Sequence, residues 1–184
     1  QEHIEEEYQT TTILHTPMGD LRRVVRRTSI TSAQTEFYCS TPEDAEKILS
    51  LPYKTPKIDI SHYEKRRAEI GEEGLVIMGV PDAICWPADL YSPEDFALLW
   101  VDAPDVMRKL VSTAADRVNA GVEKLAPLVD GFRIIGGEYA STQLGPQGFA
   151  ELVVEQDAEL CDIMRRNDAV SYYHNHGPVT RFYE

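Results

Sequence analysis

The chain has no run of apolar residues approaching the ~18–20 that a helix needs to cross a bilayer, so no membrane-spanning helix is expected. Positive charge is scarce as well. Against 31 Asp and Glu there are 18 Lys and Arg, a formal net charge of −13 that repels phosphate backbones and argues against a nucleic-acid partner. The basic cluster Arg22-Arg23-Val24-Val25-Arg26-Arg27 alternates across the two faces of a strand, so it reads as solvated strand edge rather than one patch. Cysteine is limited to Cys39, Cys85 and Cys161, widely spaced and without a C-x-x-C pair. That excludes a disulfide framework and suits a reducing cytoplasm. All three read as small buried hydrophobes, with Cys85 standing out for its place in the chain. The acidic opening Gln1 to Glu7 resembles neither a secretory signal nor a transit peptide. With no initiating Met, it is expected to begin within a longer protein.

What is present is a change of pattern along the chain. Thr10 to Leu14 is rich in β-branched residues, Pro17-Met18-Gly19-Asp20 makes a turn, and Leu21 to Arg27 forms a second strand. Residues 1–38 are therefore read as a β-hairpin elaboration, and 39–184 as a run of βα units. Ser40-Thr41-Pro42-Glu43-Asp44 starts a helix with a hydroxyl cap, Pro at the first position and acids in the first turn. Ser61 with Glu64 reads as a capping box for a helix ending at Gly71.

From residue 74 onward, apolar strands alternate with helices. Leu75 to Val80 is a continuous apolar run, the pattern of a strand buried on both faces. Ser92-Pro93 opens a short helix, and Asp102-Ala103-Pro104-Asp105 opens a long one with Val106, Leu110, Ala114, Val118, Val122 and Leu125 on one stripe. Gly131 to Gly136 is the next strand. A helix from Pro146 carries Phe149, Leu152, Val153, Leu160, Ile163 and Met164, and Ala169 to His174 is the last strand. This order implies right-handed crossovers and a parallel sheet. Three core strands in 184 residues fall short of the ~250 residues of a closed eight-stranded barrel, so the barrel is expected to be only partly represented.

In parallel α/β sheets ligands sit at the carboxyl ends of the strands. That rule selects the loops Gly79 to Trp86, Gly136 to Ser141 and His174-Asn175-His176-Gly177. His174 and His176, two apart on a strand, can converge on a transition metal or an anionic substrate. A zinc site needs a third protein ligand, and none stands out in the sequence. Glu138 is a candidate general base, ligand or substrate anchor, against a structural role as a loop or helix-end partner. Asp82, Cys85, Tyr139 and Gly177 are the substrate-binding candidates.

These motifs, taken in order, resemble the uroporphyrinogen decarboxylase superfamily from about Thr10 onward. The features that carry the resemblance are the hairpin Thr16 to Leu21, the loop Met78-Gly79-Val80-Pro81, the helix start Asp102 to Val106, the segment Gly145 to Phe149, and Tyr173-His174-Asn175-His176-Gly177. The resemblance implies a (β/α)8 TIM barrel and most closely a methyltransferase-like member. Such a member moves methyl groups to or from a corrinoid or thiol carrier with zinc assistance. His174 and His176 would then be catalytic and hold the metal, Glu138 would be catalytic beside them, and a corrinoid protein would be a partner beside the small-molecule substrate. The alternative it implies is the decarboxylase of tetrapyrrole biosynthesis, a lyase; a non-catalytic ligand-binding barrel is the non-enzymatic reading. A cytoplasmic location is expected from the cysteine usage, and the oligomeric state is left open, an oligomer included. Two departures stand out: the decarboxylase's arginine-bearing signature is missing, and His176 occupies the place of a metal-binding Cys. A cupin is set aside because Thr180 and Arg181 stand where its Glu would be, and an amidohydrolase because its histidine pair belongs to the first strand.

Overall fold

The computed structural model describes residues 1–136 and 144–175. Four strands come first, β1 (Glu2–Glu6), β2 (Gln9–Thr16), β3 (Gly19–Arg27) and β4 (Ser32–Glu36), followed by α1 (Pro42–Leu49) and α2 (Ser61–Ile70). Then come β5 (Ile77–Pro81), α3 (Cys85–Leu90), α4 (Pro93–Asp102), α5 (Pro104–Leu125) and β6 (Gly131–Ile135). The last elements are α6 (Gly145–Phe149), a π-helical turn (Ala150–Val154), α7 (Glu155–Arg166) and β7 (Val170–His174). The chain divides into two units, one made of Gln1–Tyr53 with Trp86–Leu110 and the other of Lys54–Cys85 with Val111–Glu184.

In the first unit, β1 to β4 form an antiparallel sheet in sequence order. The expected hairpin closes with Thr16 opposite Gly19, and Gly19 takes a φ of +115° that a side chain would strain. Arg22 pairs with Glu36 across β3 and β4, while Arg23 lies over the Tyr38 ring at 5.2 Å. The basic cluster is thus spread over separate partners. Thr41 caps α1, and Asp44 reaches back to accept the backbone N–H groups of Ser40 at 3.1 Å and Thr41 at 3.3 Å. Ser92 caps α4 by accepting the Asp95 N–H at 3.1 Å. Tyr91 is fully buried, and its hydroxyl donates to the Thr41 carbonyl at 2.8 Å. Cys39 is buried as expected; desolvation pushes its thiol pKa up, so it stays protonated.

The second unit is built on a parallel sheet in the order β5-β6-β7. Phe132 and Ile134 of β6 point to the helical side and meet Val122, Ala126, Leu160, Ile163 and Met164. Burying side chains of this size stabilises by about 1.5–3 kcal/mol each. Asp130 ties the start of the sheet together. It accepts the Val76 N–H at 2.8 Å, pairs with Arg67 at 2.9 Å, and its own N–H donates to the Tyr63 hydroxyl at 2.7 Å. At α2, Ser61 is the first helical residue rather than the cap, and its N–H is taken by Asp59 at 2.9 Å.

The expected (β/α)8 TIM barrel is not what the chain forms. The described strands make a four-stranded antiparallel sheet and a separate three-stranded parallel one, with no closed barrel. Closure requires every strand to pair on both sides, whereas among the described residues β5 and β7 each pair with β6 alone. Burial of β5 on both faces is also not found. Ile77, Gly79 and Pro81 alternate outward, as do Ile135 and Tyr172 in register with them, and all are exposed. An apolar run records that a strand is apolar, not that a second layer covers it.

Candidate active site

The strand-end rule points to the second unit, and the side chains that meet there are only partly those expected. Backbone pairing continues one step past the strands: the Asp82 N–H donates to the Ile135 carbonyl at 3.1 Å, and the Gly136 N–H to the His174 carbonyl at 2.8 Å. Strand alternation then puts Asp82, Gly136 and Asn175 on the helix-covered face, the face that also carries Tyr173.

Asp82, only 2% exposed, sits directly after β5. Its Oδ1 accepts the Cys85 N–H at 3.2 Å, and its Oδ2 accepts the Tyr173 hydroxyl at 3.1 Å. Cys85 opens α3, and its thiol donates to the Ile135 carbonyl at 3.3 Å. Burial, followed by the charge of Asp82, raises the Cys85 thiol pKa, so Cys85 is a neutral donor and not a nucleophile.

The second carboxyl is Asp157, in the first turn of α7 and 8% exposed. Its Oδ2 is buried and has no hydrogen-bond partner among the described residues. Desolvation first, and the negative charge of Asp82 second, push its pKa up to about 7, while the Tyr173 hydroxyl pulls the other way. The Tyr173 phenol is raised in turn by its own burial and by the charges of Asp157 and Asp82, so it remains protonated. Two carboxyls that share a desolvated site cannot both ionise cheaply, and one of them keeps its proton. Asp82, with both oxygens receiving donors, is the one placed to hold the charge. Asp157 holds the proton.

Gly136 makes this arrangement possible. A Cβ there would come within 2.8 Å of the Tyr173 hydroxyl and 2.9 Å of the Asn175 side-chain oxygen. Only a residue without a side chain lets the hydroxyl reach Asp82 over this backbone. On its other side Asp157 borders a cleft of about 340 Å³, walled by Phe149, Val153, Val154 and Ala158 and reached also by Tyr173. The π-helical turn supplies Val153 and Val154; such turns recur at functional sites because they redirect side chains within a helix.

Of the residues expected from the sequence, Asp82 and Cys85 are brought together here. His174 ends β7, half-buried, and strand alternation turns it to the opposite face from Tyr173. Glu138, Tyr139, His176 and Gly177 lie outside the described residues. Among the described residues no group of three or more His, Cys, Asp or Glu side chains is placed to hold a metal ion. No helix of the described residues is long and apolar enough to cross a membrane. Asp157, Tyr173 and Gly136 were not singled out individually by the sequence reading. One signal was available for Asp157: it interrupts the apolar stripe Val153, Leu160, Met164, four residues after Val153, three before Leu160 and seven before Met164. No protein-family model, no curated protein and no solved structure matches the chain.

Proposed function

We propose that the chain is an enzyme that delivers a proton to a small molecule, of the carboxy-lyase class, with Asp157 as general acid. The observation that carries this reading is the buried carboxyl of Asp157, its Oδ2 unpartnered, on the wall of an apolar cleft beside the charge of Asp82. Loss of carbon dioxide leaves an electron pair on the substrate that must be met by a proton. A carboxylic acid with a pKa near the working pH is both protonated often enough and acidic enough to supply it. Burial first, and the charge of Asp82 second, keep Asp157 protonated; Tyr173 and the Cys85 N–H hold Asp82 in place, and water restores the proton after each turnover.

The test is carbon dioxide release from a panel of small keto acids. The reading predicts that kcat/KM falls as pH rises through about 7, and that Asp157→Asn lowers it at least ~100-fold, the usual worth of a positioned acid. Release that is unchanged in Asp157→Asn defeats the proposal. Zinc-assisted methyl transfer to a corrinoid or thiol is the second reading, favoured by the place of His174 at the carboxyl end of β7. Stoichiometric zinc that disappears on His174→Ala supports that reading; zinc-free protein that still decarboxylates rejects it.

A further inference from the structure

Resting on the reading of Asp157 as a proton donor, we propose that the cleft takes a carbonyl compound with an apolar body, uncharged at the end that enters the cleft, whose carbonyl oxygen accepts a hydrogen bond from the Asp157 carboxyl. Three features converge on this class. The first is size and polarity: about 340 Å³ lies at the lower end of small-molecule sites, and the walls at Phe149, Val153, Val154 and Ala158 are apolar. The second is the pattern of donors and acceptors. Tyr173 already donates to Asp82, and Asp82 already receives two donors. The unsatisfied group is Asp157 Oδ2, and a protonated carboxyl there needs an acceptor. A carbonyl oxygen supplies one without bringing a donor that the apolar walls would leave unpaired.

The third feature is charge. Among the described residues, the groups acting on Asp157 are Asp82 and Tyr173, and the only charge among them is negative. An anionic group at this point would meet the field of Asp82 in a desolvated setting. A cation would have to leave water for an apolar cleft and would draw the Asp157 carboxyl toward ionisation beside Asp82. Cys161 on the same wall adds no charge, because burial holds it as a thiol. A neutral acceptor pays neither cost.

In a carboxy-lyase substrate this carbonyl stands β to the departing carboxylate, where the electron pair of the breaking bond can pass to its oxygen. As the carbon–carbon bond breaks, its electron pair becomes the double bond of an enol. The carbonyl π pair takes the proton of Asp157, carbon dioxide leaves, and water reprotonates Asp157. The enol then returns to the ketone in solvent.

Ligand-observed NMR with acetophenone as the neutral probe, and benzylammonium and benzoate as charged counterparts, tests the assignment. Acetophenone should bind at pH 5.5 and weaken toward about tenfold per unit above pH 7, as the donor proton is lost. Asp157→Asn, which keeps an N–H donor, should bind it equally at all pH values, and Asp157→Ala should lose it. Val154→Trp, at a half-exposed wall position, should block binding with the melting temperature unchanged. Tighter binding of benzylammonium than of acetophenone at pH 8, or wild-type binding by Asp157→Ala, overturns the assignment. If the Asp157 carboxyl titrates near 7 yet acetophenone binding ignores it, the substrate class falls and the proton-donor reading stands. If Asp157 titrates as an ordinary carboxylate, both fall.

Discussion

Replacing Asp157 with Asn should make the second unit more stable at neutral and alkaline pH, even as it removes the proposed acid. The folded protein holds the Asp157 pKa at about 7, against 3.8 for the ordinary side chain. Between those values the native state binds a proton that the unfolded chain has released, so stability falls as pH rises from about 4 to about 7 and is level above. At 1.36 kcal/mol per unit, the full shift corresponds to about 4 kcal/mol. Asn keeps the shape and never ionises, so it avoids this loss. Urea unfolding followed by circular dichroism at pH 5 to 8, with amide exchange in β6 reporting on the second unit, measures the difference between the two proteins. Asp44, Asp59 and Asp130, whose lowered pKa values act in the opposite sense, cancel in that difference. Asp82, Tyr173, Cys85 and Cys161 surround or interact with Asp157, and Tyr173, Cys85 and Cys161, all raised by burial, stay protonated over this range. The Asn protein should gain on the wild type by up to about 4 kcal/mol between pH 4 and 8. A difference that stays constant with pH, or an Asn protein less stable at pH 8, refutes the reasoning.

Tyr173→Phe should raise the Asp157 midpoint further, because the hydroxyl that lowers it is gone; a fall seen by carboxyl NMR would show that the hydroxyl acts differently. Gly136→Ala should displace the same hydroxyl, since the new methyl would lie 2.8 Å from it, and should raise the Asp157 midpoint in the same direction. An unshifted midpoint in a folded Gly136→Ala protein would remove Gly136 from the account. Asp130→Ala should cost about 2 kcal/mol or more through its lost charged hydrogen bonds. Its backbone and Arg67 partners hold its carboxyl below the usual range, so its contribution is complete above the ordinary Asp pKa and fades as pH falls through the lowered one. Urea midpoints at pH 7 and pH 3 check both statements, and equal losses at the two pH values would contradict the second.

Local structure was largely legible in the sequence, and the reasons are local. Pro42 after Thr41, Pro93 after Ser92, and the turn at Gly19 each act within a few residues, and each appears where its chemistry requires. The alternation of strands and helices after residue 74 also yields the parallel sheet β5-β6-β7. Closure was not legible, because whether β5 and β7 find second neighbours depends on pairing far along the chain and not on their own apolar residues. The site was half legible for a related reason. Asp82 and Cys85 follow a strand, where the position rule looks. Asp157 is carried in from a helix whose apolar residues dominate its pattern, and Tyr173 and Gly136 matter only through a close approach that three-dimensional packing creates.

The proposal that Asp157 is a proton donor is tested most directly by carbon-13 NMR titration of its carboxyl in the intact chain, alone and with Asp82→Asn. The account predicts a midpoint near 7 that moves down when the charge of Asp82 is removed, with the remaining elevation due to burial. A wild-type midpoint near the ordinary value of about 4, unmoved by Asp82→Asn, would contradict it.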